Sequence, residues 1–315
     1  MKKLLLALLF VFALLIISYG LALADNGPHG GFAPATDACA GCHRTHTAPQ
    51  AKLLLSSSTA LCLTCHSSTG TGADTNVTDG VYVNRDATTE DPAQGVAARG
   101  LKGGGFTNAL MDTNENGVAD AASRPATSAH IVDGPPGTAW GNGDIGSGAG
   151  PAIALGCGSC HNPHGRAAAG GVATYRILRP RPSDSGAASD VNIADEPAKM
   201  YTVADDDNRY YGQNYTTFGD PMSQWCGQCH TRYMSGSEGA NTDSGDAIFK
   251  YRHPTTAQHI ACTSCHVAHG TASLMGPNSG SIPFPNGATT PSGNARSSLL
   301  RLDNSGVCFA CHDNP

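Results

Sequence analysis

The longest apolar run lies at the start of the chain. After Lys2 and Lys3, Leu4 to Ile17 gives 14 consecutive apolar residues, and Ala22-Leu23-Ala24 follows. A basic start, a short apolar stretch and a small-x-small tripeptide predict a cleaved signal peptide over 1–24, cut after Ala24. An uncleaved anchor competes, because Leu4 to Ala24 just reaches across a bilayer. Ser18, Tyr19 and Gly20 interrupt that stretch and favour cleavage. No later run is long and apolar enough to span a membrane. The remainder, 25–315, reads as mainly irregular coil with short helices and few strands. Within it, 67–128 is rich in Gly, Thr, Asn and Asp and reads as a surface excursion holding one short strand at Val81 to Val83.

Composition sharpens this picture. The chain has 39 Gly and 19 Pro but only 6% aromatic residues, so it is rich in loops and poor in material for a core. Something other than side chains must fill the interior. The net charge of −6 offers no basic surplus for a phosphate backbone, which excludes general nucleic-acid binding. Without the signal peptide the chain carries 17 basic and 25 acidic side chains, a net −8. Twelve cysteines in an exported chain would ordinarily predict disulfides.

The cysteine spacing overrides that default. The motifs are Cys39-Ala-Gly-Cys42-His43, Cys62-Leu-Thr-Cys65-His66, Cys157-Gly-Ser-Cys160-His161, Cys226-Gly-Gln-Cys229-His230, Cys262-Thr-Ser-Cys265-His266 and Cys308-Phe-Ala-Cys311-His312. Every cysteine belongs to a C-x-x-C-H unit, the attachment signature of c-type haem. Two thiols three residues apart reach the two vinyl groups of one porphyrin, and the adjacent His faces its iron. Zinc ribbons would group the pairs in fours and have no use for a His after every second Cys. Six covalently bound haems c are therefore predicted.

The chain has 13 His, and the seven outside the motifs are His29, His46, His130, His164, His253, His259 and His269. Three stand at a fixed offset, in Cys42-His43-Arg-Thr-His46, Cys160-His161-Asn-Pro-His164 and Cys265-His266-Val-Ala-His269, and these motifs alternate with the plain ones. The chain thus parses into two-haem modules at about 25–70, 125–235 and 245–315. Each module contributes two spare His for two irons, which predicts two imidazoles on every iron. The third module has one candidate too many. His253 lies nine residues before Cys262, close to the ten between His29 and Cys39, and is preferred over His259. A His three positions after the proximal one lies on the same side of a helical turn. His46, His164 and His269 are therefore expected to serve haems other than their own. The mature methionines, Met111, Met200, Met222, Met234 and Met275, follow no matching pattern.

Two imidazoles saturate an iron and leave no position for a small substrate, so the expected chemistry is outer-sphere electron transfer at low potential, without catalysis. Haem propionates add negative charge, giving a strongly acidic particle.

The stretches CAGCHRTH, LCLTCH, AHIVDG, CGSCHNPHG, YRIL, MSQWCGQCHT, YRHP, CTSCHVAHG and CFACH, spread from Ala38 to His312, resemble the multihaem cytochromes with paired C-x-x-C-H motifs. Among these the chain is most similar to the hexahaem outer-surface cytochromes of metal-respiring bacteria. The resemblance implies a secreted protein that passes through the periplasm to the outer cell surface. It also implies an unbroken haem stack, polymerised head to tail as a nanowire filament, with redox-partner cytochromes and extracellular acceptors such as metal oxides. It further implies that His46 ligates the fifth haem, held by Cys262, Cys265 and His266, of a neighbouring copy. A monomeric periplasmic or cell-surface shuttle and a multihaem reductase are the other readings; the latter would need an iron with an open site.

Two further features stand apart. Asp112-Thr-Asn114-Glu-Asn116-Gly117-Val-Ala-Asp120 resembles the start of a calcium loop, but Ser123 stands where a bidentate Glu belongs, so an Asx-rich turn competes with a calcium site. Tyr201, Tyr210, Tyr211, Tyr215, Phe218, Trp225, Tyr233, Phe249 and Tyr251 crowd into one segment around the fourth motif, where packing is the ordinary explanation.

Overall fold

The computed structural model describes residues 3, 29, 38–70, 73, 75–82, 101, 103–109, 124–139, 152–164, 175–191, 193, 220–231, 261–274 and 299–301. The signal segment apart from Lys3, His253, His259, the calcium-like loop, the sixth motif and all clustered aromatics except Trp225 lie outside these residues.

Regular elements are short. The helices are α1 (Ser58–His66), α2 (Cys157–Cys160), α3 (Asp220–Cys226) and α4 (Cys262–Cys265), with 3-10 turns at Ala38–Gly41, Ala51–Leu53 and Tyr175–Ile177. The strands are β1 (Thr75–Asn76), β2 (Val81–Tyr82), β3 (Asn108–Ala109), β4 (Arg124–Pro125), β5 (Ser128–Ala129), β6 (Gly137–Thr138), β7 (Ala152–Ile153) and β8 (Gly270–Thr271). They form antiparallel pairs β1–β2, β3–β4, β5–β8 and β6–β7. Mostly coil with short helices and few strands is the predicted class. No described helix is long and apolar enough to cross a membrane.

The expected strand at Val81 begins β2, paired in register Thr75↔Tyr82 and Asn76↔Val81. Asn76 fixes the turn between the strands, its Oδ1 accepting from the Thr78 and Asp79 amides at 3.1 Å each and from the Thr78 hydroxyl at 2.7 Å. The described part of the surrounding stretch includes buried positions. Val81, Leu101 and Ala109 in it are buried, and Gly104 bridges Gly270. Glycines let this segment press backbone to backbone, where polarity alone gave no sign of burial. Gly104 has φ +70, and a Cβ there would stand 1.8 Å from the Gly270 carbonyl oxygen.

The apolar interior is thin. Ala109, Ile193, Met222, Val267 and Ala272 form the main cluster, flanked by Leu178, Val191, Trp225 and Leu299. The largest fully buried side chains among the described residues are Thr271, Ser223 and Ser273. A close-packed protein interior is normally built from large aliphatic and aromatic side chains. Here small polar groups line the enclosed space.

Candidate functional site

Each described C-x-x-C-H unit forms one helical turn that closes on its own first cysteine. The His43, His161, His230 and His266 amides donate to the Cys39, Cys157, Cys226 and Cys262 carbonyls at 2.8, 2.9, 3.0 and 2.9 Å. Residues three apart share a helix face, so both thiols of a unit project to one side. No disulfide joins any of the ten described cysteines.

The turn ends at the proximal His, which corrects one step of the sequence argument. His161 (φ −109, ψ 145) and His266 (φ −116, ψ 152) are extended, so no helical turn carries His164 or His269. Three backbone clamps enforce the extension. His43, His161 and His266 bridge Leu54, Leu178 and Leu300. In the first clamp Arg44 and Leu55 amides donate to the Leu53 and Cys42 carbonyls at 2.9 and 3.1 Å. In the second, Asn162 and Arg179 amides donate to Ile177 and Cys160 at 2.8 Å each; in the third, Val267 and Arg301 donate to Leu299 and Cys265 at 2.8 and 3.0 Å. The clamps contain left-handed residues, Lys52 and Leu53 at φ 60, Arg176 at 48, Ile177 at 52 and Leu299 at 59. Such a conformation costs about 1–2 kcal/mol per residue and is an outlier for β-branched Ile. It turns the Lys52 and Arg176 carbonyls onto the His43 and His161 Nδ1 atoms at 2.9 Å each.

Three other rings are anchored likewise. His29 and His130 direct Nδ1 to the Pro163 and Ala268 carbonyls at 2.8 and 2.5 Å, and His66 Nδ1 lies 2.7 Å from the Thr75 hydroxyl. Pro163 and Ala268 each precede the second His of a C-x-x-C-H-x-x-H unit. A carbonyl can only accept, so these contacts place the imidazole proton on Nδ1 and the lone pair on Nε2. That tautomer suits a metal ligand.

Four ring pairs result. His29 and His66 have centroids 6.2 Å apart with planes at 62°, and His43 and His164 are 6.0 Å apart at 14°. His130 and His230 stand at 6.3 Å and 47°, and His161 and His269 at 6.2 Å and 63°. Two imidazoles on opposite sides of one iron, each with a metal–nitrogen bond of about 2 Å, put their ring centres about 6 Å apart. By contrast Phe106 stacks on His269 at 4.7 Å, the spacing of rings in direct contact. The donor set, the tautomer fixed in one member of each pair and the separation therefore fit an iron between the members of each pair, and the neighbouring thiols fit its porphyrin. His46 is exposed, and among the described residues no imidazole stands opposite it.

Desolvation disfavours the charged form of three half-buried imidazoles. It holds His130 and His161 below the ordinary histidine value, against the opposing pull of their carbonyl partners, and takes His269 down to about 3. The thiols form two touching sets. Cys62 donates to Cys157 and Cys226 to Cys262, which lowers the acceptor in each pair and raises the donor. Burial pushes Cys160 up to about 12.

Thr59 and Ser223, buried hydroxyls that carry no sequence signature by themselves, join the motifs at these same places. Thr59 Oγ1 accepts from the Cys157 amide at 3.3 Å and Ser223 Oγ from the Cys262 amide at 3.1 Å. Each stands three residues before the first cysteine of an even-numbered motif. That register, together with the leucine-rich triplets of the clamps, was the available signal; loops of different length conceal the clamps along the chain.

The family model for the doubled CXXCH motif matches residues 32–71. A solved structure, the outer membrane cytochrome S filament from Geobacter sulfurreducens, aligns at 16% identity and a TM-score of 0.38. The alignment covers 87% of this chain and 98% of that one. No curated protein sequence matches the chain.

Proposed function

We propose that the chain is a multihaem c-type cytochrome with six haems c that serves extracellular electron transfer as a head-to-tail homopolymer, and has no catalytic site. The observation carrying this reading is the set of four imidazole pairs at 6.0–6.3 Å. When bound, the group supplies a one-electron ferric/ferrous couple.

The protein's part is attachment, ligation and exclusion. Cys39, Cys42, Cys62, Cys65, Cys157, Cys160, Cys226, Cys229, Cys262, Cys265, Cys308 and Cys311 attach the six groups. His43, His66, His161, His230, His266 and His312 are the proximal ligands. The opposite ligands are His164 for His43, His29 for His66, His269 for His161 and His130 for His230. With an imidazole on each side, the residues would leave small molecules no access to a bound metal. The Nδ1 anchors of His29, His43, His66, His130 and His161 hold those rings against rotation and raise their basicity. By the spacing of His29 and His130 before their modules, His253 serves His312.

A register rule supports the polymer. His43 faces His164, and His161 faces His269, so each first proximal His of a module meets the second His of the following module. Continued once more, the rule asks for the second His of a further module opposite His266. The first such histidine of another copy is His46, the same pairing that the family resemblance implies. A contact of this kind does not close on itself and propagates as a filament.

The test combines composition with assembly. Haem quantification on the secreted protein should give six per chain, all low-spin. His46→Ala should leave five of the six irons with unaltered spectra, give one altered centre and abolish filaments in electron micrographs. Normal filaments from His46→Ala would overturn the head-to-tail reading, and fewer than six haems would overturn the stoichiometry.

A further inference from the structure

His269 differs from the other three histidines that stand opposite a proximal ring. His29 and His130 send Nδ1 to the Pro163 and Ala268 carbonyls, and His164 is exposed to solvent. His269 Nδ1 is buried and, among the described residues, has no hydrogen-bond partner. The Gly104 carbonyl favours the charged form of the ring, yet desolvation outweighs it and no bond to Nδ1 closes. With Nε2 turned to a metal, Nδ1 carries the proton, and a buried N–H is left without an acceptor. Native structures rarely keep such a group without a use for it.

The segment from Gly103 to Phe106 cradles this ring. The His269 backbone is held on both sides, its amide donating to the Gly103 carbonyl at 2.7 Å and its carbonyl accepting from the His130 amide at 2.9 Å. Gly103 lies against the Nδ1 edge, where a Cβ would stand 3.0 Å from Nδ1. The Phe106 ring covers one face, with centroids 4.7 Å apart and planes at 24°. Phe106 is itself pinned, because its amide donates to the Val77 carbonyl and the Gly105 amide to the Gly270 carbonyl, at 3.0 Å each. An aromatic face and a glycine edge orient an imidazole without offering it an acceptor. Arg176 and Arg179 add positive charge around the same pair: both disfavour the charged form of His161, and Arg176 that of His269.

We infer that Phe106 is the positioning residue of the His269 imidazole, and that its cradle, by withholding an Nδ1 acceptor, keeps the His161–His269 site at a higher reduction potential than an anchored ring would give. This rests on the bis-imidazole reading above. An imidazole that does not share its Nδ1 proton is the weaker electron donor to a metal. The two arginine charges oppose the extra positive charge of an oxidised centre. Both effects favour the reduced form. The ring pairs of the chain are therefore unlike one another: His29 and His130 are anchored, whereas His269 is held by its face alone.

Three substitutions in the secreted holoprotein, its haem content verified by mass, separate orientation from exclusion of water. The angle between two axial rings, 63° for this pair, sets the splitting of the iron d orbitals, so electron paramagnetic resonance reports it. Phe106→Tyr keeps the flat face and should leave spectrum and potentials at the parent. Phe106→Leu keeps the site apolar but removes the face; the signal of one low-spin centre should shift while the potentials hold. Phe106→Ala also opens space for water at Nδ1, and one midpoint in a redox titration should then fall. The expected change in the ferric/ferrous ratio is about fivefold, the factor one neutral hydrogen bond is worth, or about 40 mV at about 59 mV per tenfold. Unaltered signals and potentials in both Phe106→Leu and Phe106→Ala, whatever their urea midpoints, would overturn the role of Phe106. A midpoint that rises in Phe106→Ala would overturn the withheld acceptor. A parent protein without low-spin bis-imidazole centres would overturn the earlier reading itself.

Discussion

Gly104 tests how the backbone near His269 is held. An alanine there meets two separate obstacles. Its φ of +70 costs a residue with a Cβ about 1–2 kcal/mol. The added Cβ would also stand 1.8 Å from the Gly270 carbonyl oxygen, where ordinary contact begins at 3.4 Å, and neither side of that contact is a flexible side chain. Relief requires the two backbones to part, which breaks the Gly105 amide bond to the Gly270 carbonyl (3.0 Å) and strains the His269 amide bond to Gly103 (2.7 Å). At about 1 kcal/mol per hydrogen bond, the total is about 3–4 kcal/mol, a large part of a typical stability of about 5–15 kcal/mol. Two other glycines separate the contributions. Gly186 has φ +73 with no atom within 4 Å of the added Cβ, so Gly186→Ala reports the backbone cost alone. Gly137 has open space and no positive φ, and Gly137→Ala should stay within about 0.5 kcal/mol of the parent. Urea unfolding of the holoproteins, followed by far-ultraviolet circular dichroism and haem absorbance, gives all three values. Gly104→Ala unfolding at the midpoint of Gly186→Ala would refute the close approach of Gly104 to Gly270.

Two further predictions concern the rings. Thr75→Val removes the hydroxyl 2.7 Å from His66 Nδ1 and leaves that ring less basic. One potential in a redox titration should then rise by about 40 mV, the equivalent of about 1 kcal/mol for one electron, with Thr75→Ser near the parent; an unchanged titration would remove Thr75 from the ligand's support. Acid should destabilise the fold through His130, His161 and His269, whose folded-state values burial sets below 6.5, with His269 at about 3. On acidification the unfolded chain takes up these protons first. The stabilisation is therefore complete above pH 6.5 and is lost as the pH falls, for His269 over the range down to about 3 at about 1.4 kcal/mol per pH unit. A urea midpoint constant from pH 7 to 4 would contradict the desolvation of these imidazoles.

The haem motifs were legible because covalent attachment dictates residue type and spacing within five consecutive positions. The mainly irregular fold was legible for a related reason: many Gly and few aromatics cannot make long elements. What the sequence concealed is the pairing of motifs with distant backbone. The Leu54, Leu178 and Leu300 clamps serve equivalent histidines, yet they follow them by 11, 17 and 34 residues. Main-chain hydrogen bonds do the clamping, so side-chain identity constrains it weakly. The burial of Leu101 and Ala109 was concealed likewise, since the glycines that permit it also mark exposed turns. For His164 and His269 the sequence argument expected a helical turn, whereas the clamp draws the proximal His into extended backbone and sends the second His away along it.

The clamps also bear on why this chain would need its haems in order to fold. Five non-glycine residues in left-handed conformation, at about 1–2 kcal/mol each, fall within the three clamps. Local strain of this size persists only where the surroundings over-determine it. The described apolar cluster, built from Ala109, Ile193, Met222, Val267 and Ala272, is small beside that cost. The strained residues aim the Lys52 and Arg176 carbonyls at His43 and His161, so their return comes through imidazoles fixed for ligation. Under the proposed function, thioether attachment on one side of each turn and axial ligation on the other supply the missing stabilisation, as metal binding does for small metallodomains. Conformational strain and cofactor would then be two halves of one balance: the clamp makes little sense in a chain without haem, and a bis-imidazole site would lose its ring orientation without the clamp.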